Sequence, residues 1–357
     1  MIAKDFFKKI INNIKPECWM IEGNECSSGK PLTIFFAGSL CSRHYICKIA
    51  YQGEHQETSL GRKWFWDIPQ YHERANDGSL MVIEGFYCLF QFLPKKDCFV
   101  IPVWVSSIVA LSGRPRYEEK RSLKNDMRRI KRNKFSFCVT CDSSQLGNFY
   151  YNMYIPFIKR VHGEGAILNG YKALVKKLGR TCSLGLIEKD GELVGGDIFC
   201  LRNKKRAKIW LLGVKDANPE YVKEGVVQAM FHFTIDAFIK KGIRSVDLGL
   251  SRPFLNDGPL RFKKKWAPLL TCRKWQEKVF LITFSSLDPG IKMFLQNNPF
   301  VFIEKKELKA AYFSSSSLSL EEGQRIRSYC AFKGLFELCV YRFAGDEAIV
   351  DVRHALQ

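Results

Sequence analysis

Lys263, Lys264 and Lys265 stand in a row between Phe262 and Trp266. Ammonium groups so spaced can clamp a phosphate or diphosphate while the aromatic rings pack. The same pattern also describes a plain amphipathic helix with Phe262 and Trp266 in the core. Two other stretches share this basic character. Residues 114–134 hold ten Lys/Arg against three Asp/Glu, and residues 202–208 hold five basic residues and no acidic one. In residues 261–278 seven basic residues face only Glu277, and the three stretches together carry +18 of the formal +20 charge. Such stretches are either solvated faces or contacts for polyanions: nucleic acid, anionic lipid, or substrates that carry phosphate.

Gln228, His232 and Asp236 recur at every fourth position, which orients a base or simply makes one helix face polar. His162, in VHGEG, either faces a cleft or complements a helix C-terminus. Cys138 and Cys141 form one CxxC, but zinc needs two more ligands at suitable spacing and none is near, so no metal is expected. Gly23 to Lys30, GNECSSGK, has five residues between its glycines and lacks the Ser/Thr of a phosphate-binding loop. The 13 cysteines run from Cys18 to Cys339 without a small-domain framework, so free thiols in a reducing cytoplasm are expected. The opening MIAKDFFKKII has no secretory apolar core. The longest apolar run, Cys98 to Leu111, is 14 residues with Pro102 inside, too short to span a bilayer and better read as a buried strand or pair of strands.

Periodicity predicts the elements that must hold these residues. A chain of 357 residues, 46% hydrophobic and 13% aromatic, is long enough for about two domains and apolar enough to exclude general disorder. Residues 1–113 read as an irregular α/β unit. Its expected elements are a helix over Asp5–Ile14 and strands at Leu32–Phe36, His44–Tyr51, Leu80–Tyr87 and Phe99–Val105, with Gly61–Asp67 as a loop or short helix. Gly113-Arg114-Pro115 reads as a linker. Tyr117–Lys134 follows as an amphipathic helix with Leu123, Met127 and Ile130 in its stripe. A helix over Ser143–Val161 should kink or end early at Pro156, and another runs from Asn169 to Leu178. Next come a hairpin of Cys182–Glu188 and Leu193–Cys200, a strand Lys208–Val214, a long helix Pro219–Lys241, a strand Ser245–Leu250, a short basic helix Leu260–Trp266 and a strand Lys278–Phe284. Residues 285–357 are mixed, with a serine run at 314–317 and final strands Leu335–Arg342 and Ala348–Val352. The fold class is α/β of the mixed, α+β kind, because this order departs from an uninterrupted βαβα repeat.

Residues 114–284 resemble the GNAT acyltransferase fold. The likeness rests on the hairpin LGLIEKDGELVGGDIFC, the strand WLLGV, the helix PEYVKEGVVQAMFHFTIDAFIKKG and the strand RSVDLGL. The stretches DLGLSRPFLNDGPLRFKKKWAP and EEKRSLKNDMRRIKRN resemble the branch related to Fem-type peptidoglycan-bridge aminoacyltransferases, which carry two tandem GNAT-like units. The resemblance implies a GNAT-like acyltransferase domain over 114–284, a degenerate GNAT-like unit over 1–113, and a C-terminal segment 285–357 that completes the first unit. It implies direct N-acyl transfer, with acyl-CoA as co-substrate lying against the helix start at Val214, Lys223, Glu224 and Gly225. The usual Gln/Arg-x-x-Gly-x-Gly/Ala loop is reduced here to Lys223-Glu224-Gly225. The implied acceptor is anionic, small or lipid-linked, and meets Arg128, Arg129, Gly249, Ser251, Phe262, Lys263 and Lys264. Asp247, beside the acyl channel, takes the amine proton or closes a turn. Aminoacyl-tRNA is the alternative donor. A non-catalytic protein that binds nucleic acid or a membrane surface is the alternative class, and the expected location is cytoplasmic with peripheral membrane contact.

Overall fold

In the computed structural model the described residues are 14–68, 70, 79–92, 98–111, 121–163, 166, 168–272, 278–284, 286–345 and 347–356. The expected helix Asp5–Ile14 lies outside them except for its last residue, as does the linker Gly113-Arg114-Pro115. The chain divides into two units. One comprises Met1–Val105, Ser251–Arg261 and Leu270–Gln357; the other comprises Ser106–Leu250 and Phe262–Leu269.

The sheet of the second unit runs in the order Val105–Ala110, Ser245–Ser251, Arg206–Val214, Glu192–Asn203, Cys182–Lys189, Ser136–Thr140. The hairpin turn places Asp190 and Gly191 at φ 51° and 83°, the left-handed pair that matches strand twist in a two-residue turn. Adjacent residues then face opposite sides. Phe199 packs with Phe231, Ile235 and Phe238 of the helix Val226–Lys240. Ile198, with Leu184, Leu186 and Leu211, packs under Phe149, Tyr150, Met153 and Tyr154. A bulge between Ile209 and Leu211 reverses the alternation in the next strand. Ala207 and Ile209 therefore belong to the Phe231 cluster, and Leu211 to the Phe149 cluster. Gly213 follows on this second face, where a Cβ would stand 2.7 Å from the backbone of Met153 and Tyr154.

Several helices differ from expectation. The stripe of Arg121–Arg132 does bury Leu123 and Ile130. Pro156 does not end the next helix. Ser143–Asn148 passes through a π-helical turn, Phe149–Tyr154, into Ile155–His162, and the proline lies in the first turn of that last segment. A wider turn there accommodates a residue that cannot donate to the helical ladder. The helix expected at Asn169–Leu178 is confined to Tyr171–Val175. The long helix is two: Pro219–Glu224 and Val226–Lys240, separated by Gly225 at φ 100°, a left-handed value that ends the first helix and caps the second.

In the other unit, one sheet has the order Gln56–Arg62, Glu17–Asn24, Pro31–Gly38, Leu80–Phe86, Lys278–Phe284, Cys98–Pro102. Lys278–Phe284, expected to close the acyltransferase domain, pairs here instead, between Leu80–Phe86 and Cys98–Pro102. A second sheet joins Phe300–Glu304, Glu307–Ser314, Glu337–Ala344 and Glu347–Ala355. Phe99 meets Phe300, Phe302, Phe313 and Tyr341 edge-on, at centroid distances of 5.1–5.6 Å. His44–Tyr51, expected as a strand, lies largely in a helix, Leu40–Ala50. Its buried positions Ser42, Arg43, Ile46, Cys47 and Ala50 recur at helical spacing, a period that the alternating look of HYICKIAY obscures. The apolar run from Cys98 forms two strands, as expected, breaking between Pro102 and Val105. Among the described residues no helix is long and apolar enough to cross a membrane.

The expectation of free thiols throughout is corrected at one place. Cys182 and Cys200 occupy directly paired positions on neighbouring strands and are joined by a disulfide.

Asp197 is fully buried beneath the helix Val226–Lys240. It accepts a 2.8 Å hydrogen bond from the Thr234 hydroxyl, while its Oδ1 has no partner among the described residues. Burial pushes its carboxyl up to about 8 against the weaker opposing pull of Thr234, so it folds as the acid. The contribution of a raised carboxyl is complete below its unfolded value of about 4 and is lost as pH rises toward about 8. Urea midpoints should therefore fall between pH 4 and pH 8 in the parent. Asp197→Asn should flatten that fall and be more stable than the parent at pH 8.5 by more than about 1 kcal/mol. A parent whose midpoint rises over this range contradicts the assignment.

Candidate functional site

Arg206–Val214 and Ser245–Ser251 are parallel neighbours that pair over three positions only: Arg206 with Ser245, Ala207 with Val246, Lys208 with Asp247. Both strands continue past that point, but their ladder does not. On its other side Arg206–Val214 stays paired with Glu192–Asn203 to its end. Among the described residues, no strand pairs with the edge of Ile209–Val214 that faces Ser245–Ser251. The bulge at Trp210 lies at the same place and turns the strand as the ladder ends.

Asp247 holds the point of divergence. Its Oδ1 accepts from the Ser106 hydroxyl at 3.0 Å and from the Gly249 amide at 2.8 Å. Its Oδ2 faces the Lys208 ammonium at 3.7 Å and Arg202 at 3.6 Å. All four partners belong to the same unit. The carboxylate thus makes the turn hydrogen bond that the sequence left open, and it is also the anion of a small ion-pair group. To accept a proton from an amine it would first have to release one of these partners.

Lys263 enters the divergence from the helix Gly258–Lys264. Its side chain is buried and its ammonium donates to the carbonyls of Gly249, at 3.1 Å, and Leu250, at 2.8 Å. Gly249 is at φ 85°, a left-handed value open to glycine, and a Cβ there would lie 3.9 Å from that ammonium. Of the three expected phosphate lysines, Lys263 is therefore an interior cation. Lys265 pairs with Asp126 at 2.9 Å, and Lys264 is half-buried. Phe262 and Trp266 pack against Phe231, which the amphipathic-helix reading anticipated.

Val214 is buried at the end of its strand, and the chain returns through Pro219–Glu224 to Gly225. The helix Arg121–Arg132 closes over this turn. Arg129 donates to the Lys223 carbonyl at 3.3 Å, and Asn133 donates to the Glu224 carbonyl at 2.7 Å. These bonds satisfy carbonyls that the end of a helix leaves free. Glu224 pairs with Lys189 at 2.7 Å. Arg129 also lies along Gly225, where a Cβ would meet its Cδ at 2.9 Å. Arg129 is thus a cap, whereas Arg128 is exposed and lines a cavity of about 330 Å³ between Arg121–Arg132 and Val226–Lys240. Gln228 and His232 line the same cavity, and the Gln228 Oε1 is buried without a hydrogen bond among the described residues. Asp236 leaves this row to pair with Lys240 at 2.7 Å on the exposed surface. Ser251 is buried at the end of its strand. The His162 side chain lies outside the described residues.

Sequence reasoning missed Ser106, Arg202 and Lys208, which tie Asp247 in place, and Asn133, which caps at Glu224. It also missed the bulge. The unbroken apolar run Ile209-Trp210-Leu211-Leu212 carried that signal, since a regular half-buried strand would alternate.

Residues 121–264 match the family model described as an acetyltransferase (GNAT) domain. No curated protein matches the chain in sequence. Among solved structures, the C-terminal domain assigned to a lysylphosphatidylglycerol synthetase of Agrobacterium fabrum is similar at 14% identity, over 76% of this chain and 84% of that one, with a TM-score of 0.36. FemX is similar at 9% identity, over 73% and 83%, with a TM-score of 0.39. An aminoglycoside acetyltransferase from an uncultured soil metagenomic sample is similar at 17% identity, over 39% and 90%, with a TM-score of 0.30. These likenesses are distant, and the assignment rests on the family match. Residues 121–264 are a GNAT-type acyltransferase domain.

The knot at Asp247 is testable without substrate. Asp247→Asn and Lys208→Met should each destabilise the fold in urea, and the double variant should lose less than their sum, with a coupling of about 0.5–1 kcal/mol. Strict additivity contradicts the pairing.

Proposed function

We propose that this protein transfers an acyl group from acyl-CoA to an amine on an anionic, phosphate-bearing or sugar-linked acceptor. The observation that carries the reading is the divergence of Arg206–Val214 from Ser245–Ser251 past the Lys208–Asp247 pair, with the Lys263 ammonium inside it. A thioester donor needs an unpaired strand edge to lie along, and Ile209–Val214 offers one. Its pyrophosphate needs N–H groups and positive charge, which the first turn of Val226–Lys240 supplies. The amine nitrogen attacks the thioester carbonyl carbon, the carbonyl oxygen takes the negative charge, and the C–S bond then breaks to release the CoA thiolate. Backbone N–H groups along the edge hold that oxygen, and Lys263 adds positive charge nearby. The amine proton leaves through water or Asp247. Exposed Lys124, Arg128 and Lys131 favour an acceptor with negative charge.

The same basic helix face favours a second reading, in which the donor is an aminoacyl-tRNA. Calorimetry at physiological salt separates the two. Acetyl-CoA should bind one equivalent, and Lys263→Met, which leaves the Gly249 and Leu250 carbonyls without their donor, should lower the urea midpoint and also lower kcat of the folded fraction on the order of 100-fold. Binding of tRNA with none of acetyl-CoA promotes the second reading. Salt-sensitive retention on RNA or anionic vesicles with neither donor bound contradicts both.

A further inference from the structure

We infer that Cys47, His55 and Glu57 form a binding site for one divalent transition-metal ion of the zinc class, in the unit that does not contain the acyltransferase divergence. His55 and Glu57 stand two apart, with Glu57 on the strand Gln56–Arg62, and Cys47 comes from the helix Leu40–Ala50. The Cys47 Sγ lies 3.6 Å from the Glu57 Oε1, and the His55 Nε2 lies 3.2 Å from the same oxygen. All three ligand atoms are within 4.8 Å of one another. Zinc bonds of about 2.0–2.3 Å in a tetrahedron separate ligand atoms by about 3.3–3.6 Å, so the two shorter separations already suit an ion.

The surroundings hold His55 and Glu57 by their other ends. The His55 ring is stacked on Tyr51 at 5.2 Å, and its Nδ1 faces the Gly53 carbonyl at 3.4 Å, the arrangement that leaves Nε2 for a metal. The Glu57 Oε2 accepts from Arg43 at 3.2 Å, and that guanidinium lies 3.6 Å over the Trp19 ring. Oε1 remains for the ion. His55 and Glu57 are each about a quarter exposed, which leaves a route of entry and a fourth position for water. On binding, the Cys47 thiol gives its proton to solvent and the thiolate, imidazole and carboxylate each donate one lone pair. A mixed sulfur, nitrogen and oxygen set of this kind selects zinc or cobalt over magnesium or calcium.

The full chain, reduced and stripped of metal, should be titrated with cobalt(II). One equivalent should produce a thiolate-to-cobalt charge-transfer band and tetrahedral d–d absorption, both displaced by zinc. The band should disappear in Cys47→Ser and in His55→Ala, and persist in Cys138→Ser/Cys141→Ser. The part-exposed His55→Ala is the deciding variant should Cys47→Ser fail to fold. No charge-transfer band in the parent, or a band that survives His55→Ala, overturns the site.

Discussion

The acyltransferase unit depends on one constraint: two parallel strands that pair for three residues and then stop. Ending a ladder inside a sheet is costly, because each unpaired peptide group must find another partner. The cost is contained by pinning the last paired position. Asp247 is held there by Ser106, the Gly249 amide, Lys208 and Arg202, and Lys263 takes up the Gly249 and Leu250 carbonyls just beyond. The bulge at Trp210 starts the change of direction and reassigns Leu211 to the other core. The opening is therefore a built feature with named supports, and the edge it frees is Ile209–Val214.

A second constraint acts where that strand ends. Gly225 must be left-handed for a short helix to hand over to Val226–Lys240, and the basic helix Arg121–Arg132 closes the turn from outside. Arg129 and Asn133 spend their donors on the carbonyls of Lys223 and Glu224. The charge of this helix consequently divides by role. One arginine is structural, while Arg128 and its exposed neighbours are directed outward. The same division occurs in the lysine run after Phe262, where Lys263 is interior and Lys265 is neutralised by Asp126. A net charge of +20 is thus partly consumed inside the unit that makes it conspicuous.

Much of the acyltransferase unit was legible because its signals are local. The Asp190-Gly191 turn and the stripe of Leu123 and Ile130 each act within a few residues. The divergence was legible only by resemblance, since nothing within Ser245–Leu250 states where its neighbour stops pairing. Asp247 was read as a base or turn residue because Lys208, Arg202 and Ser106 are remote in sequence. His44–Tyr51 was misread because a helix that buries Ile46, Cys47 and Ala50 offers alternation over a short window. The pairing of Lys278–Phe284 between Leu80–Phe86 and Cys98–Pro102 is a long-range choice that no window contains. Taking His44–Tyr51 for a strand also hid Cys47 from His55 and Glu57, which come together only when the first is on a helix.

The central claim is that the freed edge receives the donor. Hydrogen exchange of the backbone amides, with and without a non-hydrolysable acyl-CoA, reads it directly. Those amides of Ile209–Val214 that point away from Glu192–Asn203 should exchange fast among strand residues and slow when the donor analogue is present, together with the first turn of Val226–Lys240. Slowing confined to the groove lined by Arg128, Gln228 and His232, with Ile209–Val214 unchanged, would contradict it.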